Sequence, residues 1–160
     1  MELFLAQNHA AMVHLPIAAS VLAAVAAMVG LLINKKEVYL VWAVLSLAAL
    51  ATVPPALITG IAAAKGRLNE EGKPYIQSGL VVDRTPANSR IFTHQAIGAG
   101  GTLLACLLAA AAIARLRGRN VNRFLLACLA VLLAVLWGIG GHLGGEELWG
   151  PDTFPAFQQN

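Results

Sequence analysis

The sequence predicts an all-α membrane protein, a bundle of four transmembrane helices in up-down-up-down order. Of its 160 residues, 58% are hydrophobic and only 12% are charged, whereas a soluble domain carries roughly 25% charged residues. Four apolar stretches each reach the ~20 residues that cross a bilayer's hydrocarbon core. These stretches take up most of the chain, so we expect a single membrane domain over residues 1–160 and no separate soluble domain.

The four spans are predicted at about residues 12–33, 38–64, 91–114 and 124–141. Pro16 falls in the first turns of the first helix, where a missing N–H is tolerated. Pro54 and Pro55 lie inside the second helix and predict a kink, either a bend that fits the bundle or a cofactor or quinone pocket. Thr85 and Pro86 offer an N-cap and a first-turn proline, so the third helix is expected to begin before its apolar run.

Basic residues in two short loops predict the orientation in the membrane. Lys35 and Lys36 follow the first span, and four arginines lie within residues 115–123. The positive-inside rule assigns both loops to the cytoplasm. Both termini, including the polar tail 143–160, are then periplasmic in a bacterial inner membrane. Because the basic residues flank the membrane, the net charge of +3 indicates no nucleic-acid partner.

The chain's four histidines are predicted to lie at one end of the bundle. His9 and His14 open the first span, His94 opens the third, and His142 closes the fourth. A single histidine there is explained by a hydrogen bond to a neighbouring backbone, but four at one depth favour a ligand set. Neutral imidazole binds haem iron, copper and zinc. His14, His94 and His142 form the expected core. His9 lies five residues before His14, on a different helix face, so the two could bind different centres, or His9 could precede the helix and fold back.

Small residues beside these histidines favour haem over a bare metal ion. Gly98 and Gly101 follow His94 by four and seven residues, and Gly138 precedes His142 by four. Each of these glycines lies on the same helix face as the histidine from which it is spaced. The lack of side chains on these helix faces leaves room for a flat porphyrin. Close packing of membrane helices uses the same small residues.

Two arginines near the outer end of the third helix extend this candidate site. Arg84 and Arg90 could pair with haem propionates through charge-assisted hydrogen bonds. As interfacial side chains that reach towards the headgroups, they need no ligand. Both interpretations stay open on the sequence alone.

Three motifs together resemble a bacterial family of predicted four-helix membrane proteins of unknown function. The chain reads HAAMVHLPIA from His9, HQAIG from His94 and GHLGG from Gly141. The family's pattern is H-P-x-x-V-H-F-P near the start and G-H-L-G-G near the end, and here Ala10 replaces the first proline and Leu15 the phenylalanine. Some members are fused to cytochrome c domains, so the resemblance implies electron transfer on the periplasmic side.

The leading functional expectation is a membrane-embedded b-type cytochrome-like electron-transfer subunit. It would hold one or two haem b groups through the histidines near the periplasmic face and exchange electrons with a periplasmic cytochrome c or a quinone. One alternative is a scaffold or assembly subunit of a larger respiratory or photosynthetic complex, and another is a copper or zinc site. The sequence lacks a nucleophile–base pairing and a phosphate-binding glycine loop, which gives no support to a hydrolase or kinase, and an electron-transfer or accessory subunit is favoured over a stand-alone enzyme.

Overall fold

The computed structural model describes residues 1–66 and 89–146, with side chains over 1–66 and 92–144. All regular elements in these ranges are helices, which confirms the all-α prediction. They are α1 (Glu2–Gln7), α2 (His9–Leu32), α3 (Lys36–Ala51), α4 (Val53–Lys65), α5 (Ser89–Leu116) and α6 (Arg123–Glu146).

Four helical segments are long and apolar enough to cross a membrane: α2, α3 with α4, α5, and α6. Their mean hydropathy lies between 2.0 and 2.5 over windows of 18 residues. Large apolar side chains point outward along them, and Leu32, Leu103 and Phe124 are 87%, 65% and 69% exposed. Such surfaces suit lipid rather than water. The fold is that of a multi-pass membrane protein.

The four segments pack as a closed ring. α2 lies between α3 and α6, and α5 packs against both α3 and α6. The core is built mostly from buried alanines, among which Trp42 and Trp137 are the largest side chains. Small residues let the helix backbones approach closely, which is how membrane helices gain packing energy without a hydrophobic driving force between them.

The two short basic loops meet at one end of the bundle, here called the basic end. The Arg115 guanidinium donates to Asn34 Oδ1 at 3.2 Å and lies 5.0 Å from the centre of the Tyr39 ring. The Tyr39 hydroxyl donates to the same Asn34 oxygen at 2.8 Å. Gly118, with φ of +79°, turns the chain out of α5, a backbone conformation that favours glycine at a helix C-terminus.

The second span is divided by a break that the sequence only partly predicts. α3 ends at Ala51, and Pro54 and Pro55 lie in the first turn of α4 instead of inside one helix. Prolines are tolerated there because first-turn N–H groups have no helical partner. Thr52 joins the two helices, and its hydroxyl lies 3.0 Å from Ala48 O and 2.9 Å from Ala49 O.

The break changes the direction of the second span. α3 packs against α5, whereas α4 packs against α1 and α2. Ala6 of α1 is fully buried in a cluster with Ala62 and Ala63 of α4. The second span therefore packs against α5 along α3 and turns towards α1 and α2 along α4.

Two helix ends differ from the predicted spans. α2 begins at His9 instead of residue 12, and α6 continues to Glu146 instead of ending at 141. The first part of the predicted tail 143–160 is therefore helical. Residues 147–160, like the Thr85–Pro86 cap, lie outside the described residues.

Candidate cofactor site

A cavity of about 490 Å³ lies at the end of the bundle opposite the basic loops, here called the histidine end. α2 and α5 begin at this end, and α4 and α6 finish there. All four helices contribute to the walls, which are mostly apolar; the polar side chains that line them include His9, His94, Gln95 and Thr102. The volume is within the ~300–1,000 Å³ typical of small-molecule and cofactor sites.

His9 is the more buried of the two cavity histidines, with 7% of its surface exposed. Its Nδ1 lies 3.1 Å from the hydroxyl oxygen of Thr59 on α4. That hydroxyl lies 2.9 Å from Pro55 O and 3.0 Å from Ala56 O, to which it donates its single proton. Thr59 therefore accepts from His9 Nδ1–H, and the Nε2 of the neutral ring keeps its lone pair.

His94 is held in an equivalent way from the opposite side of the cavity. Its Nδ1 lies 2.7 Å from the carbonyl oxygen of Gly140 on α6. A carbonyl can only accept, so Nδ1 carries the proton and Nε2 has the lone pair. Imidazoles that bind metals commonly donate their second ring N–H to a backbone carbonyl or similar acceptor in this manner.

Each imidazole also lies against a glycine of a neighbouring helix. A Cβ added at Gly60 would come within 2.9 Å of His9 Cε1, and one at Gly144 within 2.8 Å of His94 Cε1. Both approaches are closer than real side chains make. The two glycines therefore provide the room in which the rings sit, next to the groups that accept their hydrogen bonds.

The His9 and His94 rings form an edge-to-face pair. Their centroids are 6.1 Å apart, and their planes are nearly perpendicular at 89°. With metal–nitrogen distances of about 2 Å, this separation leaves room for both imidazoles to hold one metal ion.

His14 and His142 lie at the same end but outside the cavity. His14 is exposed on α2, and its Nδ1 donates to the carbonyl of Ala10 in its own helix at 2.5 Å. His142 is exposed on α6. The structure thus gathers all four histidines at one end, as expected, but it brings together His9 and His94 instead of the expected set of His14, His94 and His142.

The small residues predicted beside the histidines have different surroundings. Gly98 lines the cavity, and a Cβ there would meet nothing within 4 Å. A Cβ at Gly101 would overlap the Trp137 indole, so this glycine serves helix packing. Gly138 is exposed, with open space beside it. Arg84 lies outside the described residues, as does the side chain of Arg90 in the first turn of α5.

Thr59, Gly60 and Gly140 belong to the site but were not predicted from the sequence. The one available signal is the Thr59-Gly60 pair, a hydroxyl followed by the smallest residue within an apolar helix. Gly140 contributes only a carbonyl, which no sequence pattern marks.

Comparisons with known proteins found no protein similar to this chain. No family model matches the chain, and neither the curated proteins nor the solved structures contain a significant match. The resemblance carried by the HAAMVHLPIA, HQAIG and GHLGG motifs therefore remains a prediction from the sequence, and the chain is assigned here as a four-helix multi-pass membrane protein.

Proposed function

We propose that this protein is a membrane-embedded b-type cytochrome-like electron-transfer subunit, in which His9 and His94 would hold one haem. The observation that carries the proposal is the pair of imidazoles in one apolar cavity, 6.1 Å apart, each with its Nδ1 already hydrogen-bonded. Both rings are thereby left with Nε2 as the ligating atom. A haem bound in this way supplies one-electron chemistry, while the protein supplies ligation and an apolar surround.

The number of ligands favours haem over a bare copper or zinc ion. Among the described residues, no group of three or more His, Cys, Asp or Glu side chains converges on one point. A structural zinc ion takes four protein ligands and a catalytic one takes three. Haem iron already has four porphyrin nitrogens, so two imidazoles complete its coordination.

The orientation of the bundle favours a site near the periplasmic face. The basic loops lie at the opposite end, next to Asn34, Tyr39 and Arg115, and the positive-inside rule assigns that end to the cytoplasm. A periplasmic cytochrome c is then a reasonable electron partner, as the sequence resemblance also implies, and a quinone could reach the cavity from the bilayer. On this proposal the chain resides in a bacterial inner membrane.

The optical spectrum of the purified protein tests the proposal. After expression with ample haem supply, we expect a Soret band and a sharp α band on reduction, because two imidazole ligands give low-spin haem. A protein that binds no haem under these conditions, while folded and helical, would instead favour a scaffold subunit whose histidines only bridge helices.

Thr59 is expected to act as a positioning residue for His9. Thr59→Val removes the acceptor for His9 Nδ1–H at nearly constant volume, whereas Thr59→Ser keeps it. Loss of such a partner commonly lowers metal affinity by about 10–100-fold. We expect that loss in haem titrations of the valine variant together with an altered reduction potential, and near-native values for serine. Equal behaviour of the two variants would exclude this role.

A further inference from the structure

Another, much smaller cavity of about 10 Å³, here called the central cavity, lies inside the bundle. Its walls are mostly apolar, but Ser20 of α2 and Trp42 and Ser46 of α3 also line it. These three side chains are deeply buried, with 1%, 3% and 5% of their surfaces exposed. Ser20 lies at the midpoint of α2, which has 24 residues, so the central cavity lies far from both ends of the bundle.

The central cavity is one helical turn from the larger cavity at the histidine end. Each of the four segments of the ring lines both cavities with residues that are three or four positions apart. These pairs, with the residue of the larger cavity first, are Ile17 and Ser20, Val53 and Ala49, Thr102 and Ala105, and Trp137 and Leu133. Such a spacing corresponds to one turn, about 5.4 Å of helix. The two cavities therefore follow each other along the axis of the bundle.

The indole of Trp42 brings an unpaired hydrogen-bond donor to the central cavity. Its Nε1–H is buried and has no acceptor within the part of the chain that the structure describes. An indole nitrogen can only donate, and an unpaired polar group in an apolar interior costs free energy. The hydrocarbon around a membrane helix offers no acceptor either. An acceptor inside the cavity would remove this cost.

Two hydroxyl groups in the same cavity can complete a polar site. The Ser20 hydroxyl donates its proton to Ile17 O at 2.7 Å, and its oxygen keeps lone pairs that can accept. Ser46 follows Trp42 by four residues, on the same face of α3, and its hydroxyl oxygen can also accept. Two helices thus bring one donor and two acceptors into a space that is otherwise apolar.

We infer that the central cavity binds one water molecule. The water accepts from Trp42 Nε1–H and donates its two protons to the hydroxyl oxygens of Ser20 and Ser46. Buried waters typically make about three such hydrogen bonds, and the cavity is close to the ~10–15 Å³ that one water needs. The water links α2 to α3 in the middle of the bundle. This site includes no histidine, so it is independent of the proposed haem site.

A structure of the unmodified protein, at a resolution that shows ordered waters, tests the inference. We expect one peak of density within about 3.2 Å of Trp42 Nε1 and within about 3.0 Å of both serine hydroxyl oxygens. A cavity without density would overturn the inference. So would an indole that turns and donates directly to the Ser46 hydroxyl.

Substitutions then test which groups hold the water. Ser20→Ala/Ser46→Ala removes both acceptors, and the density should disappear because apolar cavities stay dry. Trp137→Phe is the control, since it removes the indole of a residue that lines the larger cavity instead, and the density should remain. Circular dichroism confirms the helical fold of each variant. Density that persists in the double serine variant, or that is lost with Trp137→Phe, would also overturn the inference.

Discussion

Replacing His94 by alanine is expected to abolish the haem spectrum of the protein. His94 lies across the cavity from His9, and the Gly140 carbonyl holds its Nδ1 at 2.7 Å. Alanine removes one of the two imidazoles that are proposed to hold the haem and leaves the Gly140 carbonyl without its partner. We expect the haem content per polypeptide, measured by absorbance, to fall more than the roughly 10–100-fold that loss of a mere outer-shell partner costs.

His142→Ala is the matched control for His94→Ala. It removes the same side chain at the same end of the bundle, but from the exposed face of α6. The haem spectrum of this variant should resemble that of the unmodified protein. Loss of the Soret band in His142→Ala with its retention in His94→Ala would contradict the assignment of the haem to His9 and His94.

The largest stability effect is expected for Gly101→Ala. A Cβ at this position would overlap the indole of Trp137, which is buried with 7% exposure and lines the cavity. The indole would have to move within a packed core, and such overpacking costs about 1–3 kcal/mol. Its movement should also alter the cavity, so haem affinity is expected to fall with stability.

Gly100→Ala is the control because it makes the same chemical change one residue earlier. A Cβ there meets nothing within 4 Å, and alanine favours helix over glycine in both cases. The difference between the two variants therefore isolates the contact with Trp137. Denaturation followed by circular dichroism should place Gly101→Ala about 1–3 kcal/mol below Gly100→Ala, and equal stabilities would refute this packing role.

Much of the fold could be predicted because hydropathy alone marks segments that must lie in lipid. The four spans and the gathering of His9, His14, His94 and His142 at one end follow from segment length and alternating direction. The break at Thr52 could be located only to within a few residues. Proline is disfavoured in a helix interior. Whether the chain bends there or starts a new helix depends on the helices packed against it.

The pairing of histidines could not be predicted because it depends on helix phase as well as depth. The five-residue spacing of His9 and His14 indicates different faces, and the structure has His9 buried and His14 exposed. Which of them faces the interior depends on how α2 packs against α4 and α6. That packing is tertiary, so the expected core of His14, His94 and His142 left out His9.

The central claim is that His9 and His94 together hold one haem inside the bundle. A pyridine haemochrome assay, with iron and protein quantified on the same sample, tests it most directly. We expect about one haem b per polypeptide in the unmodified protein and in the His14→Ala/His142→Ala double variant, and none in a folded His9→Ala/His94→Ala double variant. Absence of haem from the unmodified protein would contradict this claim, and so would a loss of haem that occurs only when His14 and His142 are replaced.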